Sequence, residues 1–406
     1  MLAALAMPAT ASNLPSGSEG TNESEKGSVE LDRLLSTMIA EGDIEVSLGG
    51  RIQFDIGGTS SDQTLKDMGH LSTDGAEFRR VRLFAKGSIY KAVEFKAQFE
   101  FSSGSVALKD VYGRVKTPVG KLTVGHFKEP FGLDELISSK HQPIIEPSTT
   151  IAFAGSRNAG VMLSDSVKDA NVTWALGVFA DTDNQGRTNN GTVDDGDGRE
   201  NGSYNVTGRL TYAPLHDEEA GKLAHFGVAL SKRGDVQGET EFSSRGGSHF
   251  TDKLAKATVA DSTGAIILGV ESAWTQGPAS LQAEYVMTEV DSEATDYNFG
   301  GYYLTASYFL TGEHRPYKDG VFGRLKPFKN YGDGGNGAFE VAARYDVLDL
   351  SDSGLYGGEL TSVAGGVNWY LNPNARVQLF YTTTDVDDGS TTGTSNAVTM
   401  RFALDW

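Results

Sequence analysis

The stretch Phe78 to Phe84 sets Arg79 and Arg80 side by side, with Arg82 two positions on. A guanidinium presents its donors in a planar fork, which suits carboxylate or phosphate oxygens better than a point charge does. Such a cluster could hold an anion. The plainer alternative is a set of solvated or snorkelling arginines. Neighbouring side chains on an ideal strand point to opposite faces, so Arg79 and Arg80 share a face only across a bulge, a bend or a strand end.

Other chemistry finds little support. There is no G-x-S-x-G, H-E-x-x-H or Walker A pattern, and the seven His are scattered. An enzyme needs a nucleophile, a base and an orienting group, and no such set is evident, although a hydrolase is weighed as an alternative. Asp181-Thr182-Asp183-Asn184 and Asp194-Asp195-Gly196-Asp197 suggest divalent-cation binding, but position 192 is Thr where an EF-hand loop needs Glu. A solvated acidic loop is the reading kept, with loose divalent-cation binding as its alternative. No metal site and no cofactor are expected.

The 406 residues include no Cys, which removes disulfides and thiolate chemistry. The net charge of −19 argues against nucleic-acid binding. No run approaches the roughly 20 apolar residues of a spanning helix, which leaves a barrel open. Residues 1–11 resemble the end of a secretory signal, with Ala9-Thr10-Ala11 as a cleavage site. Residues 12–44 read as a linker followed by a short amphipathic helix with Leu31, Leu34, Leu35 and Met38 on one stripe. Such a helix either pairs between subunits in the periplasm or is a frayed leader.

From Glu45 the period becomes two. Val93, Phe95, Ala97, Phe99 and Phe101 alternate with Glu94, Lys96, Gln98 and Glu100, and Val398, Met400, Phe402 and Leu404 alternate with Thr399, Arg401, Ala403 and Asp405. Sixteen such segments begin near Glu45, Glu77, Val93, Ala107, Gly120, Gly160, Val172, Tyr204, Leu223, Ala265, Ala279, Tyr302, Ala338, Thr361, Ala375 and Asn396. At about nine to eleven residues each, they suit tilted transmembrane strands. Short turns such as Thr117 to Gly120 alternate with long polar connections, among them 181–202, 233–264 and Thr311 to Gly337, which are expected on the outer side. Tyr302, Tyr303, Tyr308, Phe309, Trp369, Tyr370, Phe380 and Tyr381 are expected near the membrane interface. The fold class is therefore all-β: a transmembrane antiparallel barrel of 16 strands over residues 45–406. A soluble sandwich or propeller is the alternative.

Strand parity assigns the lumen face. If Val81 and Leu83 meet lipid, Arg80, Arg82 and Lys86 point inward. The same rule sends Arg51, Lys96, Arg114, Lys116, Arg209, Arg344, Arg376 and Arg401 inward, with Asp55, Glu94, Glu100, Asp110, Glu271, Glu284, Glu340, Asp346 and Asp405. The wall is comparatively basic, so the excess acid sits mainly in loops.

Several blocks carry a resemblance: FRRVRLFAKGSIYK (Phe78 to Lys91), LKDVYGRV (Leu108 to Val115), LTVGHFKEPFGLDEL (Leu122 to Leu136), YAPLHDEEAGKLAHFGVALS (Tyr212 to Ser231), GYYLTASYFLTGEHRPY (Gly301 to Tyr317), FGRLKP (Phe322 to Pro327), FEVAARYDVLDL (Phe339 to Leu350) and NWYLNPNARVQLFY (Asn368 to Tyr381). With the terminal Trp406 they make the chain resemble the phosphate-selective porins O and P of Gram-negative outer membranes. The resemblance implies a homotrimer of sixteen-stranded barrels in the outer membrane, surrounded by lipid and lipopolysaccharide. It also implies a third loop folded inward, and passive passage of small anions such as phosphate or polyphosphate. Arg79 and Arg80 match the family's paired arginines near the constriction, and Asp110 matches an acidic residue beside its anion site. The third loop, Lys128 to Arg157, carries Lys140 as the candidate for the family's constriction lysine. The expected site is thus Arg79, Arg80, Arg82, Asp110 and Lys140, with Lys96, Arg114, Arg344 and Arg376 as further basic groups of the lumen. A general diffusion porin with little anion selectivity is the alternative.

Overall fold

A computed structural model describes residues 44–186, 204–234 and 239–406. The expected signal remnant, linker and amphipathic helix lie outside the described residues, as does the acidic run 194–197.

The first strands are β1 (Ile44–Ser61), β2 (Asp74–Ile89), β3 (Val93–Glu100), β4 (Ala107–Thr117), β5 (Gly120–Lys128), β6 (Arg157–Val167) and β7 (Val172–Ala180). Next come β8 (Tyr204–Asp217), β9 (Lys222–Arg233), β10 (Glu239–Ser244), β11 (Ala255–Ala260), β12 (Ser262–Gln276), β13 (Ala279–Ser292) and β14 (Tyr297–Phe309). The rest are β15 (Tyr317–Lys318), β16 (Val321–Phe322), β17 (Ala338–Asp352), β18 (Leu355–Asn372), β19 (Ala375–Asp387) and β20 (Thr392–Asp405). Sixteen of them form one closed antiparallel barrel in chain order, and β10–β11 and β15–β16 are separate hairpins. Closure runs from Arg51 opposite Asp405 to Ser61 opposite Ser395. Every wall strand thereby pairs on both sides, which is what lets strands cross hydrocarbon.

The alternation places side chains as parity requires. On β20, Val398 and Met400 are 51% and 43% exposed on the outside, whereas Arg401 is 1% exposed inside. Several strands are longer than expected, β1 and β18 reaching 18 residues each, because they run past the apolar band into the rims.

The aromatic expectation is half corrected. Tyr302, Tyr308 and Tyr381 are exposed on the outer face, and Trp369 shares that parity, but Tyr303, Phe309, Tyr370 and Phe380 are buried inside. Adjacent aromatics on a strand must split between faces. The inward ones pack against loops that fill the lumen: Phe380 meets Ile144 and Ile145 of the third loop, and Phe309 meets Leu325.

Thr311 to Gly337 is also corrected. It joins β14 to β17 on the rim of the short turns, where Phe309 N donates to Pro278 O and Tyr331 N donates to Leu371 O. The long-loop rim carries only 353–354 between β17 and β18. Length in sequence does not say on which rim a connection lies; the count of strand crossings does.

Three segments occupy the interior. The third loop, 129–156, bonds across the lumen to β13, β17, β18, β19 and β20. From the long-loop rim, hairpin β10–β11 meets it at Phe242 and Phe153, ring centroids 5.2 Å apart. From the short-turn rim, Tyr317 and Phe322 cluster with Leu133 and Ile137. These segments pack into the lumen, and space remains along β1–β5.

Candidate functional site

That space is a cavity of about 700 Å³, lined by β1 to β5, the third loop and the β10–β11 hairpin. Ten Lys and Arg side chains line it (Arg51, Arg79, Arg80, Arg82, Lys96, Lys109, Lys128, Arg157, Arg245 and Lys253) against four carboxylates, Asp110, Glu135, Glu146 and Glu241.

The adjacent arginines reach one face through a bulge. Gln53 of β1 pairs with Arg80, and Phe54 pairs with Phe78, so Arg79 is the extra residue on β2. Arg79 donates from Nε to Glu146 Oε1 at 3.0 Å and from Nη2 to Oε2 at 2.8 Å. Arg80 donates to Gln53 Oε1 at 2.8 Å and lies 4.0 Å from Glu146. Arg401 also binds Glu146 and holds Asp55 at 2.7 Å with two nitrogens. Burial alone would raise the Glu146 carboxyl, but Arg79, Arg401 and Arg80 hold it well below the usual range.

A second bulge lies on β4. Ala97 pairs with Val111 and Phe99 with Leu108, so Gln98 of β3 faces both Lys109 and Asp110. Asp110 accepts from Lys96 and, at 2.7 Å, from Arg157 Nε. Arg82 donates to Glu100 at 2.6 Å. Arg51 stands opposite Arg82 across β1 and β2, and donates to Ser139 of the third loop.

Above the arginines, the hairpin loop supplies His249, whose Nδ1 is 2.6 Å from Glu77 Oε1. Burial and then Arg79 lower its pKa. Burial and then Arg245 lower that of Lys253.

Among the expected site residues, Arg79, Arg80, Arg82, Lys96 and Asp110 come together here. Lys140 does not. Its Nζ lies 3.0 Å from Asp405, in a small cleft with His141, Arg324 and Arg376. Burial, then Lys140 and Arg324, push His141 down to about 3. Arg114 faces inward toward the short turns, bonded to Thr123 at 3.0 Å and 3.7 Å from Glu94. Arg344 and Arg376 are inward but hold the third loop: Arg344 donates to Asp134 at 3.2 Å and to Glu146 O at 3.0 Å, and Arg376 donates to Gln142 O at 2.8 Å.

Three cavity cations escape sequence reasoning. Lys109 has the opposite parity to Asp110, and only the bulge turns both inward. Arg245 and Lys253 sit in a connection with no period to place them. Asp181, one of the five aspartates of the suggested cation loop, accepts from Asn158 and Asn205 at 2.9 and 2.7 Å.

Known proteins place the chain. An uncharacterized protein of Caulobacter vibrioides is 32% identical over 354 residues, 85% of this chain and 70% of that protein. Porin O of Pseudomonas aeruginosa is 28% identical over 400 residues, 87% of this chain and 86% of the porin. The anion-selective porin from Comamonas acidovorans shares the fold, with TM-score 0.54 at 12% identity, over 89% of this chain and all of that one (100%). The profile of the family "Phosphate-selective porin O and P" matches residues 46–406. The chain, an outer-membrane β-barrel, belongs to the phosphate-selective porin O and P family.

Proposed function

We propose that this porin passes small oxyanions, phosphate or polyphosphate foremost, by passive diffusion past the Arg79–Arg80–Arg82 wall. One observation carries the reading: ten cations against four carboxylates line the cavity of a chain whose net charge is −19. Positive charge concentrated in a narrow, partly dehydrated passage replaces the water an anion gives up, while the acidic loops act weakly beyond a Debye length of about 8 Å. Short turns mark the periplasmic rim and the other rim faces outward. The protein acts as a channel rather than an enzyme, and as a homotrimer, as the family resemblance implies. Mass measurement in mild detergent tests the trimer, and monomer alone would refute it.

A general diffusion pore is the second reading. It is favoured by the ion pairs Arg79–Glu146, Arg82–Glu100 and Arg157–Asp110, which occupy cations that an anion would otherwise use. Reversal potentials in a potassium chloride gradient, followed by phosphate titrated into chloride, decide between them. Anion preference and phosphate block support the first reading; equal permeability of chloride and potassium supports the second.

A further inference from the structure

We infer that Lys109, assisted by the side-chain amide of Gln98, is the principal anion-contacting group of the constriction, and that its ligand is an inorganic oxyanion such as phosphate. The inference rests on the anion-channel reading above and says which group performs it.

Most cations of the cavity are already engaged. Glu146 takes Arg79, Glu100 takes Arg82, and Asp110 takes Lys96 and Arg157. Lys128 pairs with Glu135, and Arg80 binds Gln53. Arg51, Arg245 and Lys253 each donate to a neutral oxygen. Lys109 lines the same cavity, yet its ammonium has no hydrogen-bond or ion-pair partner among the described residues. The strongest charges acting on it are those of Arg82, Arg157, Glu100 and Arg80, three of the four cationic. An ammonium left in a cationic surround is unfavourable for the empty protein and gives an arriving anion its largest gain.

The neighbouring amide points the same way. Gln98 is only 1% exposed and lines the cavity opposite the β4 bulge. Its side chain makes no hydrogen bond among the described residues, and its Oε1 is buried without one. Buried amides are nearly always satisfied; the idle Nε2 donor beside an idle ammonium suits a ligand oxygen, and the idle Oε1 suits the P–OH of a protonated phosphate. The backbone is fixed for this purpose: His126 Nδ1 donates to Lys109 O at 2.7 Å and holds the bulge. An ammonium also suits transit, since a point charge binds less specifically than a guanidinium fork and lets the ion leave.

Phosphate block of chloride current through single pores in planar bilayers tests this, with wild type, Lys109→Gln, Lys109→Arg and Gln98→Met compared. Lys109→Gln should raise the half-blocking phosphate concentration by about tenfold or more, the factor one hydrogen bond to a charged group contributes. Gln98→Met should raise it severalfold, and Lys109→Arg should keep it near the wild-type value. Lys109→Gln should also melt in detergent at or above the wild-type temperature, because it removes an unpartnered cation; a merely structural lysine would melt lower. Unchanged block in both Lys109→Gln and Gln98→Met, with wild type blocked, overturns the assignment and leaves the anion channel standing. A wild-type pore that phosphate does not block overturns both.

Discussion

Glu146, on the third loop, receives both ends of the Arg79 fork, at 3.0 and 2.8 Å. The pairing depends on a one-residue bulge in β2, without which Arg79 would face the lipid. The most prominent arginine of the sequence is therefore a tether as well as a charge. Arg80 beside it, 4.0 Å from the same carboxylate, donates to the neutral amide of Gln53, so its charge is less fully neutralised.

The two arginines should separate by substitution. Arg79→Gln removes the fork that holds the loop, so single-channel current should become noisier, with a modest loss of anion preference. Arg80→Gln leaves the tether in place and should move the reversal potential toward cations at undiminished conductance. A lost contact of this charge-assisted kind corresponds to about 1.5–3 kcal/mol of site affinity where the site is dry. If both variants keep the wild-type chloride to potassium ratio, the pair is structural.

Acid tests the tether from the other partner. A carboxyl whose folded pKa is depressed contributes stability that is complete above its unfolded value and is lost progressively as pH falls from there through the folded one. Glu146 is of this kind, so the contact should survive well below about pH 4, the ordinary Glu range. Glu146→Gln removes the charge at every pH. It should cost on the order of 3 kcal/mol by leaving buried Arg80 and half-buried Arg79 without their carboxylate and Arg401 with Asp55 alone. The gap in melting temperature between variant and wild type should persist to that pH, and convergence by pH 5 would show an undepressed carboxyl.

How much of this was legible in the sequence depended on which force set each feature. Burial against lipid on one face gives period two, so Val398, Met400, Phe402 and Leu404 could be oriented directly. A doublet of like charges on one face called for a bulge, a bend or a strand end at Arg79, because a regular strand puts neighbours on opposite faces, and the structure supplies the bulge. At Lys109 the doublet is Lys-Asp, which reads equally well as one residue out and one in, and nothing local announces the bulge. The interior loops were opaque for another reason. Phe380 is an inward aromatic whose partners, Ile144 and Ile145, lie in the distant third loop, and the long-rim hairpin brings Arg245 and Lys253 to the cavity with Phe242 docked on Phe153 and Phe299.

The lipid face offers an independent check. Met400 is 43% exposed on the outer surface of β20, between Phe402 and Val398. Met400→Arg should cost about 2–4 kcal/mol if the position lies near the midplane. Urea unfolding from lipid vesicles measures it. A neutral result would place the residue at the interface.

The last prediction concerns the connection between β14 and β17, which spans the short-turn rim. It reaches Asp405 of β20 through Arg324, β8 through the carbonyl of Gly320, and β6 through Asp319, whose carboxylate accepts from Ser166 at 2.8 Å. A segment touching wall strands this far apart lies across the short-turn mouth. Its anchor is a buried chain: Tyr317 donates to His225 Nδ1 at 2.6 Å, and His225 Nε2 donates to Glu271 at 2.9 Å. Glu271 also takes the Arg209 fork. Tyr317→Phe keeps the edge-on contact with Phe322, centroids 5.8 Å apart, and deletes one hydrogen bond. Such a bond contributes about 1 kcal/mol net, so the barrel should stay folded while the hairpin opens more often. Glu271→Gln should act further, because it leaves the buried Arg209 without its carboxylate. Both variants should raise mean single-channel conductance, Glu271→Gln more than Tyr317→Phe, with the reversal potential unchanged because the basic wall is untouched. A conductance equal to wild type in both would mean that the ion path bypasses this segment.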